Sequence, residues 1–187
     1  MNSATQSRLI AGAFLILCVA VLTPATHSQV KQAPRLDRQS LIATAREIMK
    51  TARYCALITL DSSGRPHART MDPFAPDESM VVWLGTNARS RKVTEIRRNQ
   101  RVTLYYFVAA DQAYVTISGR ARIVNDAGEK AKHWKDEWKD FYPNRANYLL
   151  IAVVPEKLEV ISVKEGIVGD TVTWTPPAVM FGSRRLK

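Results

Sequence analysis

Cysteine and histidine are scarce in this 187-residue chain, with two of the first and three of the second. Cys18 lies in an N-terminal apolar run and His27 just after it, so a processed chain would keep only Cys55, His67 and His133. One cysteine excludes an internal disulfide, and a domain of this length needs none. Two histidines give metal or triad catalysis little material, and no Cys/His ligand spacing is present. The sequence also lacks a G-x-S-x-G elbow, a Walker loop and paired dinucleotide glycines after a strand. It has no internal repeat and no low-complexity stretch. These absences favour a cofactor that brings its own reactivity, with the protein supplying binding and orientation. No long basic run accompanies the net charge of +10, because Lys and Arg alternate with Asp and Glu along most of the chain. With no nucleic-acid reading module either, no nucleic-acid partner is expected. The charge suits a phosphorylated cofactor equally well.

The first residues are a separate matter. Arg8 precedes an unbroken apolar run from Leu9 to Leu22, short for a membrane span but of the length of a secretory h-region. Small residues follow, with cleavage expected after Ala25 or Ser28. Leu17 before Cys18 argues against lipidation. Residues 1–28 therefore read as a signal peptide, and the protein as exported, periplasmic or secreted. The alternative is an uncleaved membrane anchor, since no charge occurs from Leu9 to Val30. Residues 29–37 read as a linker, 38–165 as one domain and 166–187 as a C-terminal arm, with 46% hydrophobic residues enough for one core.

Within that domain, Leu41, Ile42, Ala45, Ile48 and Met49 recur at helical spacing and predict an amphipathic helix of about four turns. Two strand-like runs, Tyr54 to Leu60 and Arg65 to Met71, flank Asp61-Ser62-Ser63-Gly64 and predict a hairpin. Further strands are expected at Met80 to Gly85, Arg101 to Val108, Ala113 to Val124 (with Gly119 where a barrel strand bends), Tyr148 to Val154 and Lys157 to Val163. A short helix is expected around Val93 to Arg97, and one or two more between Glu129 and Asp140. There Trp134 and Trp138, four apart, would share a helix face as anchors or as the rim of a pocket. The fold class is mainly β: an antiparallel six- or seven-stranded barrel with a few flanking helices. Cys55, in an apolar run, reads as a buried hydrophobe rather than a nucleophile.

The segment Thr86-Asn87-Ala88-Arg89-Ser90-Arg91-Lys92 leaves a strand and enters a helix. Unpaired N–H groups, the positive end of the helix dipole, hydroxyls and up to three cations converge there, as a phosphate cradle requires. A plainer reading is that Asn87 or Ser90 caps the helix and the cations are solvated.

The order of GRPHARTM on a hairpin, a strand, TNARSRK at a helix start, and AYVTISGRARIV resembles the pyridoxamine 5′-phosphate oxidase-like FMN-binding split barrels, the general stress protein 26 type in particular. The resemblance covers about Arg38 to Val163. It implies a split β-barrel, FMN as cofactor, and a homodimer with the flavin at its interface. It also implies that Thr86, Ser90, Arg91 and Lys92 contact or flank the flavin phosphate. Arg69 would reach the phosphate or ribityl chain, with Thr70 and Met71 along the ring and Trp83 beside it. His67, on the face of Arg69 and Met71, reads as a hydrogen-bonding neighbour. The implied activity is a flavin-dependent oxidoreductase acting on an unknown small molecule, the alternative a flavin- or ligand-binding stress protein without turnover. The substrate-phosphate residues of the true pyridoxamine-phosphate oxidases do not align here, so vitamin B6 oxidation is not expected.

Overall fold

The computed structural model describes residues 37–182, and the leader, its cleavage sites and Cys18 lie outside them. α1 (Arg38–Ala52) starts where the Asp37 carboxylate accepts the Ser40 N–H. It buries Leu41, Ala45, Ile48 and Met49, a stripe at i, i+4, i+7 and i+8. Arg53, at φ 59°, ends the helix and turns the chain into β1 (Cys55–Leu60). The expected hairpin follows: β1 pairs antiparallel with β2 (Pro66–Met71), from Cys55 opposite Met71 to Leu60 opposite Pro66. Gly64 holds the turn at φ 81°, and the Asp61 carboxylate accepts the N–H groups of Ser63 and Arg65.

β3 (Val82–Asn87), α2 (Arg91–Arg98), β4 (Arg101–Val108), β5 (Ala113–Val124), α3 (Ala127–Lys132), β6 (Tyr148–Ser162) and β7 (Ala178–Met180) complete the chain. The strands form one antiparallel sheet in the order β2-β1-β4-β5-β6-β3, with β7 on the far half of β6. The sheet curls until the residues after β2 meet β3 at an isolated bridge between Pro73 and Leu84. β2 and β3 otherwise stand apart, so the barrel has a seam.

Two expectations need correction. The runs Tyr148 to Val154 and Lys157 to Val163 are one 15-residue strand rather than two. The chain passes through Pro155, which lacks an N–H, because β5 slips register there: Ser118 faces Lys157, but Gly119 faces Pro155. Gly119 is required at this bulge, since a Cβ on it would lie 2.1 Å from the Val154 carbonyl oxygen. Trp134 and Trp138 do not share a helix. α3 ends at Lys132, and Trp138 belongs to a separate 3-10 turn, Asp136–Trp138. They meet edge to face at 6.3 Å in an aromatic cluster with Tyr142 and Tyr148, a packing that suits anchors. The C-terminal segment, for its part, supplies β7.

Alternate side chains fill the barrel: Leu57, Leu104, Val115, Ile117, Ile151, Val153, Leu158 and Val160 have no exposed surface. α1 packs against β4, β5 and β6, and α2 against β1 and β5. Outside the barrel, Trp138 lies on β3 at Gly85, where a Cβ would sit 2.4 Å from the indole. Among the described residues, no helix is long and apolar enough to cross a membrane.

Candidate functional site

β3 leaves the barrel at Asn87, and a tight turn carries the chain into α2. The Asn87 side chain accepts the Arg89 N–H (2.9 Å) and its carbonyl accepts the Ser90 N–H (3.0 Å). Ser90 stands at the N-cap with extended dihedrals, yet its side chain caps nothing. Its hydroxyl lies 3.1 Å from that of Thr86, which is buried, and the Lys92 ammonium approaches the Thr86 hydroxyl at 3.4 Å. Two hydroxyls and an ammonium therefore gather where the first N–H groups of a helix have no intrahelical partner. This favours the cradle over simple capping by Ser90.

Arg69 reaches the same end of the barrel from β2, across the seam. It faces inward because it pairs with Leu57, whose side chain is in the core. Its guanidinium donates to the Leu57 carbonyl (3.2 Å), the Thr59 hydroxyl (2.5 Å) and the Glu95 carboxylate (3.0 Å). Glu95, on α2, is only 5% exposed and also accepts the Thr59 hydroxyl at 2.5 Å. Arg91 stands on the rim, 67% exposed, with Nε 3.1 Å from the other carboxylate oxygen of Glu95. That contact is an ion pair without hydrogen-bond geometry, which leaves Glu95 Oε1 without a hydrogen-bond partner.

Charge tuning follows from this packing. Burial, and secondarily the charge of Arg69, lower the Lys92 pKa, with Glu95 acting in the opposite sense. Burial alone would raise the Glu95 pKa, and it is the largest single influence. The Thr59 hydrogen bond and the charges of Arg69 and Arg91 together outweigh it and hold the carboxyl below its ordinary value. Arg69, Arg91 and Lys92 against Glu95 leave the cluster with a formal charge of +2 (three cations less one anion).

Of the residues singled out in the sequence, Arg69, Thr86, Ser90 and Lys92 come together and Arg91 edges the group. Thr70 is exposed on the outer face of the hairpin, opposite Ala56. Met71 is buried in the barrel opposite Cys55. The Trp83 indole stacks on the His133 ring, with centroids 4.4 Å apart and planes at 22°. Sequence reasoning missed Thr59 and Glu95. The i, i+4 spacing from Arg91 to Glu95 is the one local signal that pointed to the latter. His67 lies 3.0 Å from the Asp61 carboxylate, a pairing that, after the Ser63 hydroxyl, holds that carboxyl well below the usual range. Burial pushes the Cys55 thiol up to about 12, so it is no nucleophile at neutral pH.

A phosphate monoester carries up to two negative charges and three acceptor oxygens. Two hydroxyls, an ammonium and two guanidinium groups around a helix start suit that chemistry in charge and in donor type.

Comparison with known proteins identifies the family and the fold. Residues 41–171 match the family model described as pyridoxamine 5′-phosphate oxidase like. General stress protein 26 of Bacillus subtilis is 23% identical over 135 residues, 70% of this chain and 94% of that protein. A solved Clostridium acetobutylicum protein related to it superposes with a TM-score of 0.60 at 22% identity, over 68% of this chain and 92% of that one. A pyridoxamine 5′-phosphate oxidase-related, FMN-binding protein of Nostoc punctiforme does so with a TM-score of 0.55 at 16% identity, over 76% and 95%. With the family model spanning most of the barrel and both walls of its seam, the chain belongs to the pyridoxamine 5′-phosphate oxidase-like family.

Proposed function

We propose that the protein binds FMN by its phosphate in the cradle of Arg69, Thr86, Ser90, Arg91 and Lys92, and that it is a flavin-dependent oxidoreductase acting on an unidentified small molecule. The observation that carries this reading is the side chain of Ser90, turned away from helix capping and toward the Thr86 hydroxyl, which the Lys92 ammonium also approaches. The Nostoc relative, described as FMN-binding, supports the choice of flavin. When bound, the flavin supplies hydride chemistry; the chain anchors its phosphate and fixes its position. A binding protein without turnover is the second reading. It shares the cradle, and neither described histidine, His67 beside Asp61 or His133 against Trp83, is among the cradle side chains.

Titration of the purified protein with FMN and with riboflavin, by flavin fluorescence and calorimetry, tests the proposal. Tight FMN binding, much weaker riboflavin binding, and loss of the difference in Arg91→Ala/Lys92→Ala are expected. Equal affinity for the two flavins, or an unchanged double variant, refutes the cradle. Reduction of the bound flavin by nicotinamide donors, and its reoxidation by an acceptor, would separate the enzyme from the binding protein.

The assembly we propose is a homodimer through the outer face of β1, β4 and β5. Ala56, Tyr105 and Thr116 align across three strands there, next to Phe107 opposite Tyr114. Phe107 is 54% exposed, an aromatic patch that a second copy would cover. Phe107→Glu should convert a dimer to a monomer in light scattering, and a wild-type monomer would refute the assembly. For location we propose export directed by residues 1–28, which N-terminal sequencing of the protein recovered outside the cytoplasm would test.

A further inference from the structure

Besides the cradle, α2 borders a second concave surface. A cleft of about 500 Å³ lies between Arg97 and Gln100 at the end of the helix, Arg122 and Asn125 at the end of β5, and an apolar floor that includes Ile96 and Leu149. Its polar side chains can all donate: two guanidinium groups and two amides, with no carboxylate in the lining. The Asn125 side-chain carbonyl already accepts the Lys130 ammonium, which leaves its NH₂ to donate.

Most partly buried cations of this protein have a partner: Arg69 has Glu95, and Lys135 has Asp72. Arg122, which is partly buried, differs, and Arg97 stands exposed beside it at the rim of the cleft. Among the described residues neither side chain makes an ion pair or hydrogen bond, and Arg122 Nε is buried without a partner. The surroundings do not compensate. Arg101 and Arg120 stand directly opposite each other across β4 and β5, and Glu156 serves Arg120 alone. Like charges opposed across strands are destabilising, and a buried donor left unpaired is more so. A fold that keeps such a group gains when an anion binds beside it.

We propose that this cleft is a second anion site, separate from the flavin cradle, which takes the phosphate group of a small molecule. Phosphate fits better than carboxylate. Two free cations match a dianion, and two guanidiniums with two amides offer more donors than two carboxylate oxygens use. The apolar floor beside them suits the organic body of a phosphate monoester, and the concave shape suits a small molecule better than a polyanion strand. This inference does not depend on the flavin reading, because none of its side chains belongs to the cradle.

The test uses the full chain, with inorganic phosphate and phenyl phosphate as probes, followed by calorimetry and phosphorus NMR. Wild type should take two phosphates per chain. Arg91→Ala/Lys92→Ala should retain one, and Arg122→Gln should retain one with its FMN affinity within about twofold of wild type. Combining all three changes should weaken phenyl phosphate at least tenfold relative to the double variant. Should Arg122→Gln fold poorly, Arg97→Gln gives the same comparison. The source of the phosphate is read from the two probes: tighter phenyl phosphate indicates an organic monoester, and equal affinity indicates free phosphate. Binding in the double variant that neither Arg122→Gln nor Arg97→Gln weakens overturns the proposal. So does a single-stranded oligonucleotide that outcompetes both probes with a steep salt dependence.

Discussion

Replacing Glu95 with Gln should weaken the folded protein while strengthening its hold on phosphate. The carboxylate is 5% exposed and faces Arg69, itself 18% exposed, at 3.0 Å, with the Thr59 hydroxyl on the same oxygen. Removing one partner of a buried pair costs about 3–5 kcal/mol. Because Arg69 retains some solvent and the amide oxygen still accepts a hydrogen bond, about 2–3 kcal/mol is the appropriate range here. Arg91, two-thirds exposed, adds little. For a domain of this size the loss corresponds to a melting temperature lower by roughly 5–10 °C. The same change takes the cluster from +2 to +3 and removes the anion that competes for Arg69 with an external one, and a charge-assisted contact is worth about 1.5–3 kcal/mol. Thermal melts by circular dichroism, without and with inorganic phosphate, read both effects. The variant should melt lower alone and be raised more by phosphate than wild type. A melting temperature within 2 °C of wild type (a bound set by the scale of roughly 2–4 °C per kcal/mol), or a smaller phosphate response, would show that Glu95 neither holds Arg69 nor competes with the ligand. The pH dependence has a fixed sign. A depressed folded pKa contributes stability that is present above the ordinary value of 4.5 and lost as pH falls through the folded value, so the acid limb should flatten in Glu95→Gln.

Lys92, whose pKa is lowered first by burial, should lose its proton below the ordinary 10.5; FMN affinity should then begin to fall before that pH is reached, and Lys92→Arg should postpone the fall. With its thiol at about 12, Cys55 in a Cys18→Ser background should resist a thiol reagent at pH 8 until denaturant is added; prompt labelling would contradict its burial. Gly119→Ala sets a methyl 2.1 Å from the Val154 oxygen and should cost several kcal/mol, on the order of an overpacked core, whereas Gly64→Ala, with no atom within 4 Å, should lose only about 1 kcal/mol through its positive φ; comparable denaturant midpoints would refute the bulge.

Local pattern carried the elements whose burial follows a simple period. Leu41, Ala45, Ile48 and Met49 announce α1, and Leu57, Thr59, Arg69 and Met71 alternate as strand faces do. The cradle string was legible through its resemblance to the family pattern, because hydroxyls at a helix start are by themselves ordinary caps. What escaped notice depends on contacts distant in sequence. Glu95 sits in the charged helix RKVTEIRR and looks like one more solvated side chain until α2 sets it against Thr59 and Arg69, 36 and 26 residues away. β7 has three residues and no period of its own, and exists because β6 extends far enough to pair with it. The runs Tyr148 to Val154 and Lys157 to Val163 read as two strands, but the register slip opposite Gly119 lets one strand continue through Pro155.

The seam has a consequence for how a ligand and the fold support each other. Along it β3 meets the segment after β2 at an isolated bridge between Pro73 and Leu84, so β2 and β3 each keep a margin of amides and carbonyls that no neighbouring strand occupies. Arg69 stands on one margin, and Thr86, with the helix start beyond it, on the other. A phosphate held by both is a cross-brace between strands that the chain itself leaves unstitched. Entry then requires no strand pairing to break, and occupancy tightens the hairpin of β1 and β2 by mass action. The amides of β2 should exchange with solvent faster than those of β5, and saturation of the cradle should slow them selectively.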